Sequence, residues 1–294
     1  MLSIVTPTYN RGEYLKKCYE SLRIQTDKDF EWIIVDDGST DNTEEIVGSF
    51  TTTDFIIKYI KKQNGGKHTA INASLDEIDG EYVLFLDSDD YLVPKAVEEV
   101  LLAWRQFGGL KEVALITFLK GADEDTPNCK VADNDQNRPV PINGTKRIMI
   151  VASDCCETIR TEVLKQFPFP IFENEKFLAE GALWNRVAKQ YKCVYINKVI
   201  YLCEYLEEGL TKRGRAMRIN NPLGGMYIAT QGMDRENGYK WRIKSGLLFV
   251  IYGYFAGMSA ISIIKKSEYK ALTAICVPAG WILYKRWRKI YRKL

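Results

Sequence analysis

Short apolar runs alternate with amphipathic stretches through the first hundred residues, and no other property of the chain restricts its fold as much. Residues 2–6 predict a buried strand, and residues 13–25 a helix with Tyr14, Leu15, Cys18 and Leu22 at helical spacing. Residues 31–36 predict a second strand. Gly38-Ser39-Thr40-Asp41 and a helix from Asn42 follow, with Ser39, Thr40 and Asp41 as good caps and Glu44 and Glu45 in the first turn. A third strand is predicted at 55–60, a loop and helix at 66–75, and a fourth strand at 82–86. Such alternation implies an α/β architecture, a mostly parallel sheet covered by helices on both faces. Beyond it, 113–119 reads as a fifth strand, 121–143 as a polar surface excursion, 161–167 and 178–190 as helices, and 193–197 as a strand.

Ligands of open α/β sheets bind at the carboxyl ends of the strands. Three polar clusters fall there: Pro7-Thr8-Tyr9-Asn10, Asp36-Asp37-Gly38-Ser39 and Asp87-Ser88-Asp89-Asp90. The last ends an apolar strand in three acids, which repel one another and drift toward neutrality unless a cation holds them. Mg²⁺ or Mn²⁺ takes one or two protein carboxylates and completes its shell with water and phosphate oxygens, so the cluster suits a bridge to a diphosphate. The plainer alternative is that these acids cap the helix beginning near Pro94 and face solvent.

The order and spacing of Ile4-Val5-Thr6-Pro7-Thr8-Tyr9-Asn10, Trp32-Ile33-Ile34-Val35-Asp36-Asp37-Gly38-Ser39-Thr40-Asp41 and Phe85-Leu86-Asp87-Ser88-Asp89-Asp90 resemble family 2 glycosyltransferases with the GT-A (Rossmann-like) fold. The resemblance is strong over residues 1–110 and weaker to about 225. It implies that Pro7, Thr8 and Tyr9 line the nucleoside pocket and that Asp37 hydrogen-bonds the base, usually uracil. It implies further that Asp89 holds the metal and Asp87 contacts the ribose or sugar, with Ser88 among the donor-binding residues. Gln63-Asn64-Gly65-Gly66-Lys67-His68-Thr69-Ala70 looks like the family's donor loop. Its glycines allow close backbone approach, and Lys67 offers the diphosphate a point charge; a solvated loop lysine is the alternative. Many relatives carry an arginine where Ile71 stands, which shifts the expectation for phosphate contact onto Lys67. His68 reads as a helix-start residue.

Inverting sugar transfer requires a base for the acceptor hydroxyl. Similar proteins supply it from an acid heading a helix in the second half, and Phe177-Leu178-Ala179-Glu180-Gly181-Ala182-Leu183-Trp184-Asn185-Arg186 has that form. Glu180 is the expected base, with Glu173 and Glu175 as rivals and a capping acid as the structural alternative. Tyr205-Leu206-Glu207-Glu208-Gly209-Leu210-Thr211 resembles the segment closing over the donor in relatives, and Lys212, Arg213 and Arg215 follow it.

Charge is unevenly spread. Residues 1–100 hold 20 acidic against 10 basic side chains, whereas 265–294 hold nine basic residues and Glu268. The seven cysteines form no CxxC pair and there is one histidine, so a zinc cluster is not expected and the thiols read as packing residues. Residues 245–264 carry no charge and would reach about 30 Å as a helix, with Gly253 and Gly257 at GxxxG spacing. Residues 271–284 form a shorter apolar run containing Pro278, and six basic residues interleaved with Trp287 and Tyr291 close the chain. That pattern suits an interfacial anchor on anionic lipid; helices packed on the protein's own core are the alternative. The start lacks a secretory signal pattern, so the expected location is cytoplasmic, peripheral or monotopic at the inner face of the cell membrane.

The expected organisation is a glycosyltransferase domain over 1–225 and a helical, membrane-contacting segment over 226–294. The expected partners are a nucleotide-sugar donor, a UDP-sugar by the resemblance, a glycan or lipid-linked glycan acceptor and an anionic membrane, with no nucleic acid. Two other classes fit less well. A nucleotidyltransferase would show a Gly-rich basic loop where Pro7-Thr8-Tyr9-Asn10-Arg11-Gly12 stands. A non-catalytic nucleotide-sugar-binding scaffold has no need of Asp89 or Glu180.

Overall fold

The computed structural model describes residues 1–132, 135–141, 155–203 and 210–291. They fall into two compact units, one built from residues up to 169 together with 187 onward to the end of the sheet, the other from 170–186 and the C-terminal helices.

The first unit is a sheet flanked by helices. In chain order it contains β1 (Leu2–Thr8), α1 (Gly12–Arg23), β2 (Phe30–Asp36), α2 (Thr43–Gly48), β3 (Ile56–Lys61), α3 (Lys67–Ser74), β4 (Tyr82–Phe85), β5 (Tyr91–Leu92) and α4 (Ala96–Phe107). There follow β6 (Val113–Gly121), β7 (Pro139–Pro141), β8 (Cys155–Arg160), α5 (Thr161–Gln166) and β9 (Lys192–Leu202). Among the described residues the strand order is β3-β2-β1-β4-β8-β6-β9-β5, with β7 pairing β9. Strands β3, β2, β1 and β4 are all parallel, as the alternation of strands and helices predicts. Beyond β4 the sheet is mixed, because β8 inserts antiparallel between β4 and β6.

Every residue of β1 and β2 is buried, the pattern of strands covered on both faces. Some of their polar members are satisfied internally: Trp32 Nε1 donates to Thr6 Oγ1 (2.9 Å), and Ser3 Oγ donates to the fully buried Glu31. Helix α1 turns Leu15, Cys18 and Leu22 inward. It ends at Arg23, before the expected Gln25, since the Gln25 amide instead bonds the carbonyls of Ser21 and Val93 and the N–H of Val97. The expected helix over 178–190 is confined to α6 (Gly181–Val187), and the strand expected at 193–197 extends to eleven residues as β9.

The second unit holds most of α6 and the helices α7 (Leu210–Asn220), α8 (Pro222–Gly232), α9 (Tyr239–Phe255), α10 (Ala260–Lys266) and α11 (Lys270–Tyr291). The uncharged run 245–264 is not one helix. It breaks after Phe255, where Gly257 takes φ +76°, and restarts at α10 with Ser259 Oγ accepting from the Ser262 N–H. Among the described residues no helix is long and apolar enough to cross a membrane. The glycines let helices approach one another within the unit. A Cβ on Gly246 would meet Cys276 Sγ at 2.9 Å, one on Gly253 would meet Ile263 and one on Gly280 would meet Val250. Gly257 faces open space, so the GxxxG pair is not a shared contact face. All seven cysteines are free thiols.

Candidate active site

The acidic turn 87–90 hangs from the carboxyl end of β4, and its three carboxylates point to three different partners. Asp87 pairs with Lys67, the first residue of α3. Asp89 pairs with Arg11, which precedes α1. Asp90 accepts from the buried Tyr201 hydroxyl at 2.8 Å, and that hydroxyl accepts the Asp87 N–H at 2.9 Å. Tyr201 comes from β9, and Lys120 of β6 lies over its ring at 4.2 Å. From below, the Cys18 thiol of α1 donates to the Asp90 carbonyl at 2.9 Å, with the Asp87 and Ser88 carbonyls at 3.5 and 3.6 Å. Ser88 is buried within this turn.

The electrostatics follow from the crowding. Burial, then the Asp87 charge, push Asp90 up to about 7, against the opposing hydrogen bond from Tyr201. Desolvation alone would raise Asp87 too, but Lys67, Lys120 and Arg11 hold it below the usual carboxylate range. Burial and the three acids push the Cys18 thiol well up, so it stays protonated and serves as a donor.

A second focus lies at the ends of β1 and β2. Asp37, at 3% exposure, accepts four hydrogen bonds from the 62–66 loop. Lys62 Nζ (2.6 Å) and Gly65 N (2.9 Å) reach one oxygen; Asn64 Nδ2 (3.2 Å) and Gly66 N (2.6 Å) reach the other. Gly66 has φ +94°, a conformation that needs glycine. Asn10 (φ +51°) receives the Thr40 N–H on its side chain at 2.8 Å, which ties the β1 loop to the β2 loop. Thr8 Oγ1 is buried and has no hydrogen-bond partner among the described residues, whereas Tyr9 is exposed. Pro7 lies in β1 opposite Val35.

The structure therefore gathers Thr8, Asp37, Lys67, Asp87, Ser88 and Asp89 at the carboxyl ends of neighbouring strands. Sequence reasoning passed over Arg11, Lys62, Lys120 and Tyr201. Only Arg11 left a signal, by following the Pro7–Asn10 cluster directly. His68 is buried in α3, its ring edge-on to Phe169, and burial lowers its pKa, so it stands as a neutral packing residue. Ile71 is core.

In the second unit, the Glu180 carbonyl accepts the N–H groups of Leu183 (2.8 Å) and Trp184 (3.2 Å), which puts Glu180 at the head of α6. Its rival Glu175 is committed: its two oxygens accept the Leu223 and Gly224 N–H groups at 2.6 and 2.7 Å and cap α8. Glu173 is exposed. The 205–211 segment lies outside the described residues except for the backbone of Leu210 and Thr211, and the Lys212 and Arg213 side chains lie outside them as well. Arg215 is described, over the Trp287 ring at 4.8 Å.

Among the described residues no three His, Cys, Asp or Glu side chains are gathered into a ready-made metal cage. The hard, oxygen-seeking cations need less, since one or two carboxylates suffice when phosphate oxygens and water fill the shell. Asp89, 23% exposed on its side chain and already facing a positive group, fits that donor set.

The family model for glycosyl transferase family 2 matches residues 3–166. A relative from Campylobacter jejuni, GalNAc(5)-diNAcBac-PP-undecaprenol beta-1,3-glucosyltransferase, is 39% identical over 102 residues, 34% of this chain and 33% of the relative. The chain spans from 14% to 40% of the length of the curated relatives it matches. Among solved structures, S. aureus TarS 1–349 in complex with UDP-GlcNAc aligns at a TM-score of 0.59 and 21% identity over 98% of this chain and 91% of TarS. The mannosyltransferase PcManGT of Pyrobaculum calidifontis, in complex with GDP-Man and Mn²⁺, aligns at 0.58 and 17% identity over 99% and 83%. At such identities the structural likeness establishes the GT-A fold, and the sequence match establishes the kinship: the chain belongs to glycosyl transferase family 2.

Proposed function

We propose that the protein is a metal-dependent, inverting glycosyltransferase that moves a sugar from a nucleotide-sugar, a UDP-sugar by preference, to a hydroxyl of a glycan or lipid-linked glycan. The observation that carries the reading is the convergence at the strand ends of Asp87 and Asp89, their cationic partners Lys67 and Arg11, and the loop held by Asp37. Lipid-linked acceptors enter by analogy with the undecaprenol-linked substrate named for the Campylobacter relative.

In this reading Thr8, whose buried hydroxyl lacks a partner among the described residues, lines the nucleoside site with Pro7 and Tyr9, and Asp37 shapes that site through the 62–66 loop. Asp89 is the metal ligand and Asp87 faces the ribose or sugar, with Ser88 beside them. Mg²⁺ or Mn²⁺, when bound, supplies charge neutralisation for the departing nucleoside diphosphate. Lys67 adds a second positive charge there. Glu180 accepts the acceptor hydroxyl proton, a role favoured over Glu175 because both Glu175 oxygens are taken up in capping α8. Catalysis is assigned to 1–225 and membrane contact to 226–294. On α11 the exposed Ile275, Trp281 and Ile282 precede the exposed Lys285, Arg286 and Lys289, an apolar stripe followed by a basic one, as an interfacial helix on anionic lipid requires.

The test is release of nucleoside diphosphate from a panel of nucleotide-sugars, with Mn²⁺ and then with EDTA. One donor should be hydrolysed in a metal-dependent manner, and Asp89→Ala should abolish this. With an acceptor supplied, Glu180→Gln should lower kcat by about 10²–10⁴-fold, the usual worth of a general base, and leave donor KM near its original value. Donor binding with no turnover under any condition would favour a nucleotide-sugar-binding scaffold. No binding of any donor would overturn the transferase reading.

A further inference from the structure

We infer that Arg11 and a divalent cation are alternative partners of Asp89, and that the guanidinium displaced by the cation turns to the donor's diphosphate. The inference rests on the transferase reading above and concerns a residue to which that reading gives no role of its own beyond pairing with Asp89.

Two observations converge on Arg11. Its guanidinium pairs with the carboxylate proposed to hold the metal, and Arg11 is the partner recorded for that carboxylate among the described residues. Its backbone, by contrast, is fixed on both sides. The Asn10 N–H donates to Ser39 Oγ at 2.8 Å, the Asn10 side chain receives the Thr40 N–H, and the Gly12 N–H reaches Asp41 at 3.4 Å. A Cβ on Gly12 would meet the Thr43 backbone at 2.9 Å, so the loop is held against α2. Only the long side chain is left to move.

An anchored residue with a mobile, permanently charged tip is suited to exchanging one anion for another. A guanidinium and a dication cannot both sit against one carboxylate oxygen without repelling each other, so entry of the metal expels Arg11. The metal brings phosphate oxygens with it, and the planar fork of arginine matches them better than a lysine would. Tyr14 offers the guanidinium a nearby ring face at 5.6 Å during the exchange. The acidic turn thereby stays neutralised before and after donor arrival.

The test uses the full chain and two probes, Mn²⁺ alone followed by electron paramagnetic resonance, and UDP titrated calorimetrically at saturating Mn²⁺. Arg11→Gln should bind Mn²⁺ alone about three- to fivefold more tightly than the unaltered protein, the size of a partly exposed ion pair. The same variant should bind UDP with Mn²⁺ about tenfold more weakly, the loss of a charge-assisted hydrogen bond. Arg11→Lys, which keeps the charge but not the fork, should restore the unaltered Mn²⁺ affinity and only part of the UDP affinity. Unchanged or weaker Mn²⁺ binding by Arg11→Gln overturns the exchange. Asp89→Asn separates the two levels: if it binds Mn²⁺ as the unaltered protein does, the metal assignment itself fails and takes the exchange with it. If it loses Mn²⁺ while Arg11→Gln changes nothing, the exchange alone fails.

Discussion

Asp37 accepts four hydrogen bonds from one loop, at both of its oxygens, and such a carboxylate cannot be replaced by its amide without conflict. In Asp37→Asn one oxygen becomes an NH₂ group that faces either the Lys62 and Gly65 donors or those of Asn64 and Gly66. The clash should cost about 1–3 kcal/mol, the penalty of leaving buried donors unpaired. It should appear as a lower urea midpoint, and donor KM should rise in parallel as the 62–66 loop loosens. The position was legible in the sequence because Asp36-Asp37-Gly38-Ser39 ends an apolar strand, but the four donors were not. Lys62 looks like any solvated lysine after a strand; that it also reaches Thr69 Oγ1 at 2.8 Å depends on where α3 lies, which local pattern does not encode. Glu180 was likewise the expected base on paper, with Glu175 left as a rival. Only the turn that brings Leu223 and Gly224 to Glu175 separates them.

Strand β8 shows why an element escaped notice. Its sequence, Cys155-Cys156-Glu157-Thr158-Ile159-Arg160, mixes polar and apolar residues, yet all but the last are buried. The polar members are satisfied by partners distant in sequence. Thr158 Oγ1 accepts the Trp104 Nε1–H at 2.9 Å and donates to the Ile116 carbonyl at 2.8 Å, and Arg160 Nε donates to the Val113 carbonyl at 2.8 Å. Hydrophobic periodicity registers apolar burial and is blind to this kind. Thr158→Val keeps the shape and strands both partners, so stability should fall by about 2 kcal/mol or more. The check is a shift in urea midpoint with an unchanged m-value. The same blindness hid β7, whose two prolines speak against a strand until it is found paired along one side to β9. Of the four parallel strands, β1, β2 and β4 were legible because they are buried throughout, and β3, only partly buried, because of its apolar Ile56-Ile57 and Tyr59-Ile60 pairs.

At the scale of the whole molecule, the acidic first hundred residues and the basic C-terminal stretch suit the proposed cation-dependent site and the proposed contact with an anionic surface. The apolar run 245–264 looked long enough to span a bilayer because length and charge are all that a sequence window measures. Its break at Gly257 and the burial of its first half within the second unit require tertiary partners, while Ile261 on α10 and Ile275, Trp281 and Ile282 on α11 are exposed. If that helix carries the membrane contact, the protein should sediment with phosphatidylglycerol vesicles at low salt and be released as ionic strength rises, since each basic residue near an anionic surface is worth about 1 kcal/mol. Reversing Lys285, Arg286 and Lys289 to glutamate should remove it from the vesicles while leaving donor hydrolysis intact. Vesicle binding that ignores both salt and the triple variant would refute the assignment.

The thiol beneath the acidic turn gives the protein a built-in chemical clock. Cys18 is fully buried, held as a donor to the turn's carbonyls and kept protonated, so a thiol reagent reaches it only when that turn opens. Site-resolved mass spectrometry after timed alkylation should show the partly exposed Cys129 and Cys203 modified early and Cys18 late. Adding Mn²⁺ with a nucleotide should lengthen the Cys18 delay specifically. The rate at one sulfur would then report how often the acidic turn opens, without a spectroscopic label and without turnover.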